Sequence, residues 1–308
     1  MSLEMECTTL FSVIDSWESL RRVPNHNEVA GTILFMHLFE LCPATKVLFG
    51  FPMDMDPRCE EVKNSPRFQT HAKYMINMLD RALNMLGPDA ELLGEILSDL
   101  GKKHARLGVQ ERFFPFMGDA LILTLREVLG TEFTPDIESH WKEVYHALST
   151  NIVKSMNSEK SVLDSWASLK ETEDYEERSG SLLFRKLFAL CPETKTLFGF
   201  PLDLDTESEV LLKSRRFRMH SKYFIEMLDK ALGMVEAKQM EQNLKELGQL
   251  HAAYGVKPEF FAVMGEALFD TLESMLPDQW NKELHAQWQD VYARLSSQMI
   301  AAIRQAKK

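Results

Sequence analysis

The strongest constraint on how this chain folds is a phrase it contains twice. FELCPATKVLFGFP runs from Phe39 and FALCPETKTLFGFP from Phe188, a separation of 149 residues. Other landmarks keep that register: Trp17 with Trp166, Cys42 with Cys191, Phe49 with Phe198 and His71 with His220. Further along, the offset is 147, pairing His104 with His251, Trp141 with Trp288 and Tyr145 with Tyr292. A period near 150 far exceeds the ~20–50 residues of a solenoid unit. Each copy is therefore expected to be a whole domain, long enough to bury its own core. The domains are placed at 1–156 and 157–308, joined around the polar stretch KSMNSEKS.

Within a copy, apolar residues recur every three or four positions and nowhere alternate, so the fold class is all-α. In the first copy helices are expected at 8–22, 26–41, 66–86, 90–105, 111–129 and 135–155, with a short turn from Pro43 and a loop over GFPMDMDP. Ser65-Pro66 and Thr134-Pro135 read as an N-cap followed by proline at the first helical position. GPDA from Gly87 and RLGV from Arg106 read as stops.

Charge narrows the partners. Residues 1–156 carry 15 Lys and Arg against 22 Asp and Glu, and residues 157–308 carry 20 against 24. Neither half offers the positive field that attracts nucleic acid; the basic run KSRRFRMHSK at 213–222 reads as a solvated helix face. No secretory signal and no apolar run of ~18–20 residues is visible, which implies a cytoplasmic protein without a membrane span. Cys7, Cys42, Cys59 and Cys191 lack any CxxC spacing, and Cys42 and Cys191 read as buried small hydrophobes.

Of nine histidines, only His71/His220 and His104/His251 recur in register. His71 follows Phe68 by three and precedes Met75 by four, so it lies along an apolar stripe, and His220 repeats this between Phe217 and Phe224. Leu93, Leu97, Leu100 and His104 form a second stripe, matched by Met240, Leu244, Leu247 and His251. Two inward imidazoles per domain are costly in an apolar wall without partners. Zinc wants three or four protein ligands, and no cluster supplies them. A macrocycle that brings four nitrogens of its own asks for only one or two axial imidazoles. Without CxxCH, such a haem is held non-covalently.

The ordered set CPATKVLFGFP, FQTHAKYM and LGKKHARLGVQERFFPFMGDAL resembles the globin family, and CPETKTLFGFP, FRMHSKYF and LGQLHAAYGVKPEFFAVMGEAL repeat it. HARLGV and HAAYGV look closest to the neuroglobin, cytoglobin and globin X branch. The resemblance covers nearly all of both copies and implies two tandem globin-fold domains, each with one haem b. It makes His104 and His251 the proximal iron ligands, with the carbonyls of Leu100 and Leu247 accepting the other ring N–H. It makes His71 and His220 the distal histidines, able to act as sixth ligands. Phe49 and Phe198 match the phenylalanine that wedges the haem, so each copy of the opening phrase builds one corner of a pocket. Phe35 and Phe184 would crowd the distal side, with Met75 and Phe224 one turn beyond the distal histidines. Val109, Val256, Phe114, Phe261, Met117 and Met264 would line the inner walls, and Lys73, Tyr74, Lys222 and Tyr223 could reach the haem propionates. Met75 and Phe224 are bulkier than the family often has and differ from each other, which implies unequal gas kinetics.

The resemblance implies reversible binding of O2, with CO and NO as further ligands, for storage, transport or buffering. The alternative is a hexacoordinate redox globin acting in NO dioxygenation, nitrite reduction or electron transfer; lacking a dinucleotide-binding motif, it needs an external reductase. A gas sensor would need an output module, and a haem-free helical adaptor would leave four placed histidines idle.

Overall fold

A computed structural model describes residues 5–87, 89–234 and 237–306; Pro88, within the GPDA stop, lies outside them. Among the described residues all regular structure is helical. The first unit contains α1 (Cys7–Arg21), α2 (His26–Leu41), a 3-10 helix Pro43–Phe49, α3 (Glu60–Lys63), α4 (Pro66–Met85), α5 (Ala90–Arg106) and α6 (Phe113–Leu129). Next come α7 (Pro135–Lys170), α8 (Tyr175–Leu190), a 3-10 helix Pro192–Phe198, α9 (Glu209–Leu212), α10 (Arg215–Gly233), α11 (Ala237–Ala253), α12 (Phe260–Met275) and α13 (Lys282–Ala306). Contacts divide the chain into two compact units after Asn157.

One helix departs from the sequence pattern. The segment expected to end at 155 continues to Lys170, so KSMNSEKS is helical. Nothing between Asp136 and Lys170 is glycine or proline. Serine and asparagine each cost a helix only up to ~0.7 kcal/mol, too little to break a hydrogen-bonded backbone. The single turn α3 was also not anticipated.

Each unit is held by a crossing layer of helices: α2 packs on α4 and α6, and α8 packs on α10 and α12. The first core buries Leu34, Phe35, Leu38 and Phe39 of α2 with Phe68, Ala72, Ile76 and Leu79 of α4. These are the positions spaced three and four apart, which is why the amphipathic pattern becomes a packed face. The α2–α4 crossing is close because Gly31 faces Ala72; a Cβ on Gly31 would sit 2.5 Å from the Ala72 carbonyl oxygen. Gly180 faces the Ser221 carbonyl in the same way.

Tryptophans pin the remaining helices. The Trp17 indole N–H donates to Asp80 Oδ1 at 2.9 Å and that of Trp141 to Ser16 Oγ at 2.9 Å. Trp166 donates to Asp229 at 2.8 Å and Trp288 to Ser165 at 3.0 Å. A buried indole N–H needs such an acceptor, so these bonds fix how α1 and α7 lie over the first core.

The repeated phrase acts as a corner. Pro43 opens the 3-10 helix, the Thr45 hydroxyl donates to the Cys42 carbonyl at 2.7 Å, and Gly50 leaves it at φ 84°. Lys46 is only 5% exposed. Its ammonium donates to the carbonyls of Met53 and Met55 at 2.9 and 2.7 Å, folding the following loop back on itself. Lys195 does the same to Leu202 and Leu204 at 2.9 and 2.8 Å. Cys42 is buried and Cys191 half-buried, and all four cysteines are free thiols. No helix among the described residues is long and apolar enough to cross a membrane.

Candidate functional site

The first unit contains a cavity of about 910 Å³, including its open mouth. Its walls are almost wholly apolar and come from α2, the 3-10 helix, α4, α5, α6 and α7. Phe35, Phe49, His71, Met75, Leu100, His104, Val109, Phe114 and Met117 all line it. These are the nine first-copy positions expected to surround the haem; Lys73 and Tyr74, expected at its propionates, are not among the lining residues.

Local structure aims each imidazole. His71 follows Ser65 and Pro66, which cap and start α4: the Ser65 hydroxyl accepts from the Phe68 N–H at 3.4 Å. The ring is then framed edge-on by Phe35 and Phe49, both with centroids 5.2 Å away. Because His71 directly precedes Ala72, the close contact at Gly31 also sets how deeply its ring reaches. His104 is placed by a second glycine: a Cβ on Gly101, three residues earlier, would collide with the Ile152 carbonyl of α7. Its Nδ1 lies 2.8 Å from the Leu100 carbonyl oxygen. A carbonyl only accepts, so Nδ1 carries the proton and Nε2 keeps a lone pair. The chain then reverses at Gly108, φ 75°, and the Val109 N–H donates to the His104 carbonyl at 3.0 Å.

The second unit repeats these devices. Phe184 and Phe198 frame His220 at 5.3 and 5.1 Å. His251 Nδ1 lies 2.8 Å from the Leu247 carbonyl, and Val256 N–H donates to the His251 carbonyl at 3.1 Å. The rings of His220 and His251 lie with centroids 6.4 Å apart, tilted by 57° to one another. Phe224, in the place of Met75, packs its ring 5.9 Å from Phe184. Met264 joins the apolar core. Phe261 also borders a separate groove between α12 and α13, and its carbonyl accepts from the Tyr292 hydroxyl at 2.7 Å.

Electrostatics keep His71, His104 and His220 neutral. Both His71 and His220 keep part of their surface open to solvent, yet the crowding rings desolvate them. Desolvation first, then the neighbouring His104, Arg67 and Lys103, lower the His71 pKa to about 4. Desolvation, His251 and Arg216 bring His220 to about 4 as well. The His104 pKa is also lowered, chiefly by burial, against the opposing pull of the Leu100 carbonyl. Among the described residues no group of three or more His, Cys, Asp and Glu could hold a metal ion. A metal held by these histidines must therefore bring most of its own donors.

Lys73, Tyr74 and Tyr223 are exposed and Lys222 is half-buried. Lys73 pairs with Glu28 of α2, and Lys222 lies 3.9 Å from Glu226. The sequence reading missed four supports: the glycines Gly31/Gly180 and Gly101/Gly248, the buried Lys46/Lys195, and Tyr145/Tyr292. The Tyr145 hydroxyl donates to the Phe114 carbonyl at 2.7 Å. All four recur in register, and that recurrence at helix-interior glycines was the available signal.

Comparison with known proteins identifies the family. The sequence profile of the Globin family matches residues 32–152 and 181–299. Neuroglobin of Danio rerio is 34% identical over 133 residues, which is 42% of this chain and 79% of that protein. A crystal structure at pH 4 of a hexacoordinated heme protein from an anhydrobiotic tardigrade shares 24% identity. It covers 50% of this chain and 97% of that one, with a TM-score of 0.45. With both halves matched over most of their length, the chain belongs to the globin family.

Proposed function

We propose that domains at 1–156 and 157–308 each hold one b-type haem non-covalently. On this reading the chain is a cytoplasmic protein that binds O2 reversibly, and CO and NO as well, for storage, transport or buffering. The observation that carries this is the pairing of His104, with its Nε2 lone pair free to ligate, and His71 in one apolar cavity. The donor set suits a haem: neutral imidazoles from α4 and α5 in one cavity, no competing carboxylate or thiolate cluster among the described residues, and a wall of rings for a flat apolar disc. A bound haem would supply an iron able to take up a diatomic gas.

The chain's own residues do the rest. His104 and His251 anchor from α5 and α11, while the Leu100 and Leu247 carbonyls fix the tautomer and enrich the ring with electron density. Phe49 and Phe198 stand against the distal imidazoles, where they restrict lateral movement. Phe35, Met75, Val109 and Met117 exclude water. At pH 7 His71 and His220 are neutral, so each offers one N–H donor to a polar ligand without adding charge. The test is a visible spectrum of the purified ferrous protein before and after O2 and CO, with haem counted per chain. Two haems per chain and gas-dependent band shifts are expected; haem well below one per chain sinks the reading.

A second reading is favoured by one distance. His220 and His251 are 6.4 Å apart. This supports bis-histidine ligation in the second unit and a redox role there, in electron transfer, NO dioxygenation or nitrite reduction with a separate reductase. If ~99% of that unit were closed by His220, its apparent gas affinity would fall ~100-fold. A His220→Leu variant should then bind CO faster at one site only; unchanged CO kinetics would count against it.

A further inference from the structure

One motif is left unused by the site itself. Positions 213–222 carry five cations, Lys213, Arg215, Arg216, Arg218 and Lys222, and no acid. The matching positions of the first unit, 64–73, carry two, Arg67 and Lys73. The excess stands on a chain whose formal charge is −11, so its field is local and directional.

The fold puts these charges on the helix that carries His220, one of the two paired histidines of the second unit. They cover the start of α10, the helix that presents His220. Lys213, Arg215, Arg216 and Arg218 are exposed. A Cβ on Gly199, the residue after Phe198, would lie 3.8 Å from an Arg216 guanidinium nitrogen. Arg216 is also near enough to push down the His220 pKa, behind desolvation and His251. Lys213 pairs with Glu209 at 2.8 Å, and Arg218 reaches Glu177 only at 3.6 Å. Arg215 and Arg216 have no carboxylate within ion-pair distance among the described residues. Exposed Met219 and Tyr223 supply apolar contact within the same patch.

We propose that this face of α10 is a docking surface for a protein with an acidic face that delivers electrons to the second unit. The occupant follows from charge complementarity: five cations with two unpaired guanidiniums steer an anionic surface, and the negative remainder of the chain repels long polyanions such as nucleic acid. Arginine suits this because its planar fork can bind a carboxylate with two hydrogen bonds. The proposal rests on the haem reading of the second unit and adds where the reducing equivalent enters. The step is one electron from the partner's reduced carrier to ferric iron, leaving ferrous iron and an oxidised partner, with no bond made.

The test uses the full haem-loaded chain and a small acidic flavodoxin as probe. A normal visible spectrum, recorded first, establishes that the haem reading holds before docking is examined. Anaerobic reduction by the probe and its binding are then measured at low and high salt. R215E/R216E/R218E, and the milder R215Q/R216Q/R218Q, are compared with K63E/R67E/K73E in the first unit. The expected result is a loss of at least about tenfold in binding and in reduction of one haem for the second-unit variants only, with the parent's advantage erased at high salt. Equal rates in all variants, salt-independent rates, or lost binding with unchanged reduction would each overturn the proposal. So would tight binding of duplex DNA that the same variants abolish.

Discussion

The helix crossing beneath the distal histidine can be tested with one methyl group. In Gly31→Ala the new Cβ would lie 2.5 Å from the Ala72 carbonyl oxygen, where ordinary contact begins at 3.4 Å. The carbonyl belongs to the backbone of α4 and cannot rotate away, so α2 and α4 must separate by about 0.9 Å. Overpacking of this kind costs ~1–3 kcal/mol, against a gain of up to ~1 kcal/mol from replacing a helical glycine. The expected net loss is ~1–2 kcal/mol. Gly94 provides the internal control, because it lies inside α5 with nothing within 4 Å of an added Cβ. Gly94→Ala therefore keeps only the propensity term and should gain ~0.5–1 kcal/mol. Urea unfolding followed by far-UV circular dichroism reads both. His71 rides on the displaced backbone, so Gly31→Ala should also change gas rebinding kinetics, while Gly94→Ala should not. Equal stability of the two variants would refute the argument that the crossing distance is set by the glycine.

Other outcomes follow from the same geometry. Lys46→Met or Lys195→Met removes two charge-assisted bonds to loop carbonyls and should cost ~1.5–3 kcal/mol, with new cleavage between 51 and 59 or between 200 and 208 in limited proteolysis. Haem at ~1,000 times its dissociation constant contributes ~4 kcal/mol, so His104→Ala or His251→Ala should lower the melting temperature of the loaded protein more than His71→Ala or His220→Ala; the reverse order would contradict their assignment. In the haem-free protein, His71 and His220 titrate near 4 when folded and near 6.5 when unfolded. Between those values the unfolded chain binds more protons, so stability is full above about pH 6.5 and falls as pH drops toward 4. A His71→Gln/His220→Gln variant should flatten that part of the pH–melting curve.

The sequence disclosed what periodicity and register carry. Landmarks 149 apart, and apolar residues three and four apart around His71 and His104, are properties of single helices and could be read directly. What escaped depends on two helices at once. Gly31 and Gly101 look like mild helix breakers until the facing carbonyls of Ala72 and Ile152 are known. Lys46 looks like a surface cation because its acceptors lie seven and nine residues on, in a loop without pattern. The run to Lys170 was misread because asparagine and serine lower helix propensity without forbidding helix, and only the surrounding packing decides between the two.

The matched tryptophan pins carry a cost during assembly. Trp17 seeks Asp80 and Trp166 seeks Asp229, but each indole would be equally satisfied by the other's aspartate. While the chain is still open, an α1 that latches onto α10 makes a locally sound bond within the wrong core. Discrimination then falls to neighbours that differ between the copies, such as Arg21 beside Asp80 and Lys170 beside Asp229. Refolding of the intact chain should therefore contain a slow, concentration-independent phase of partner exchange that a unit folding alone would lack.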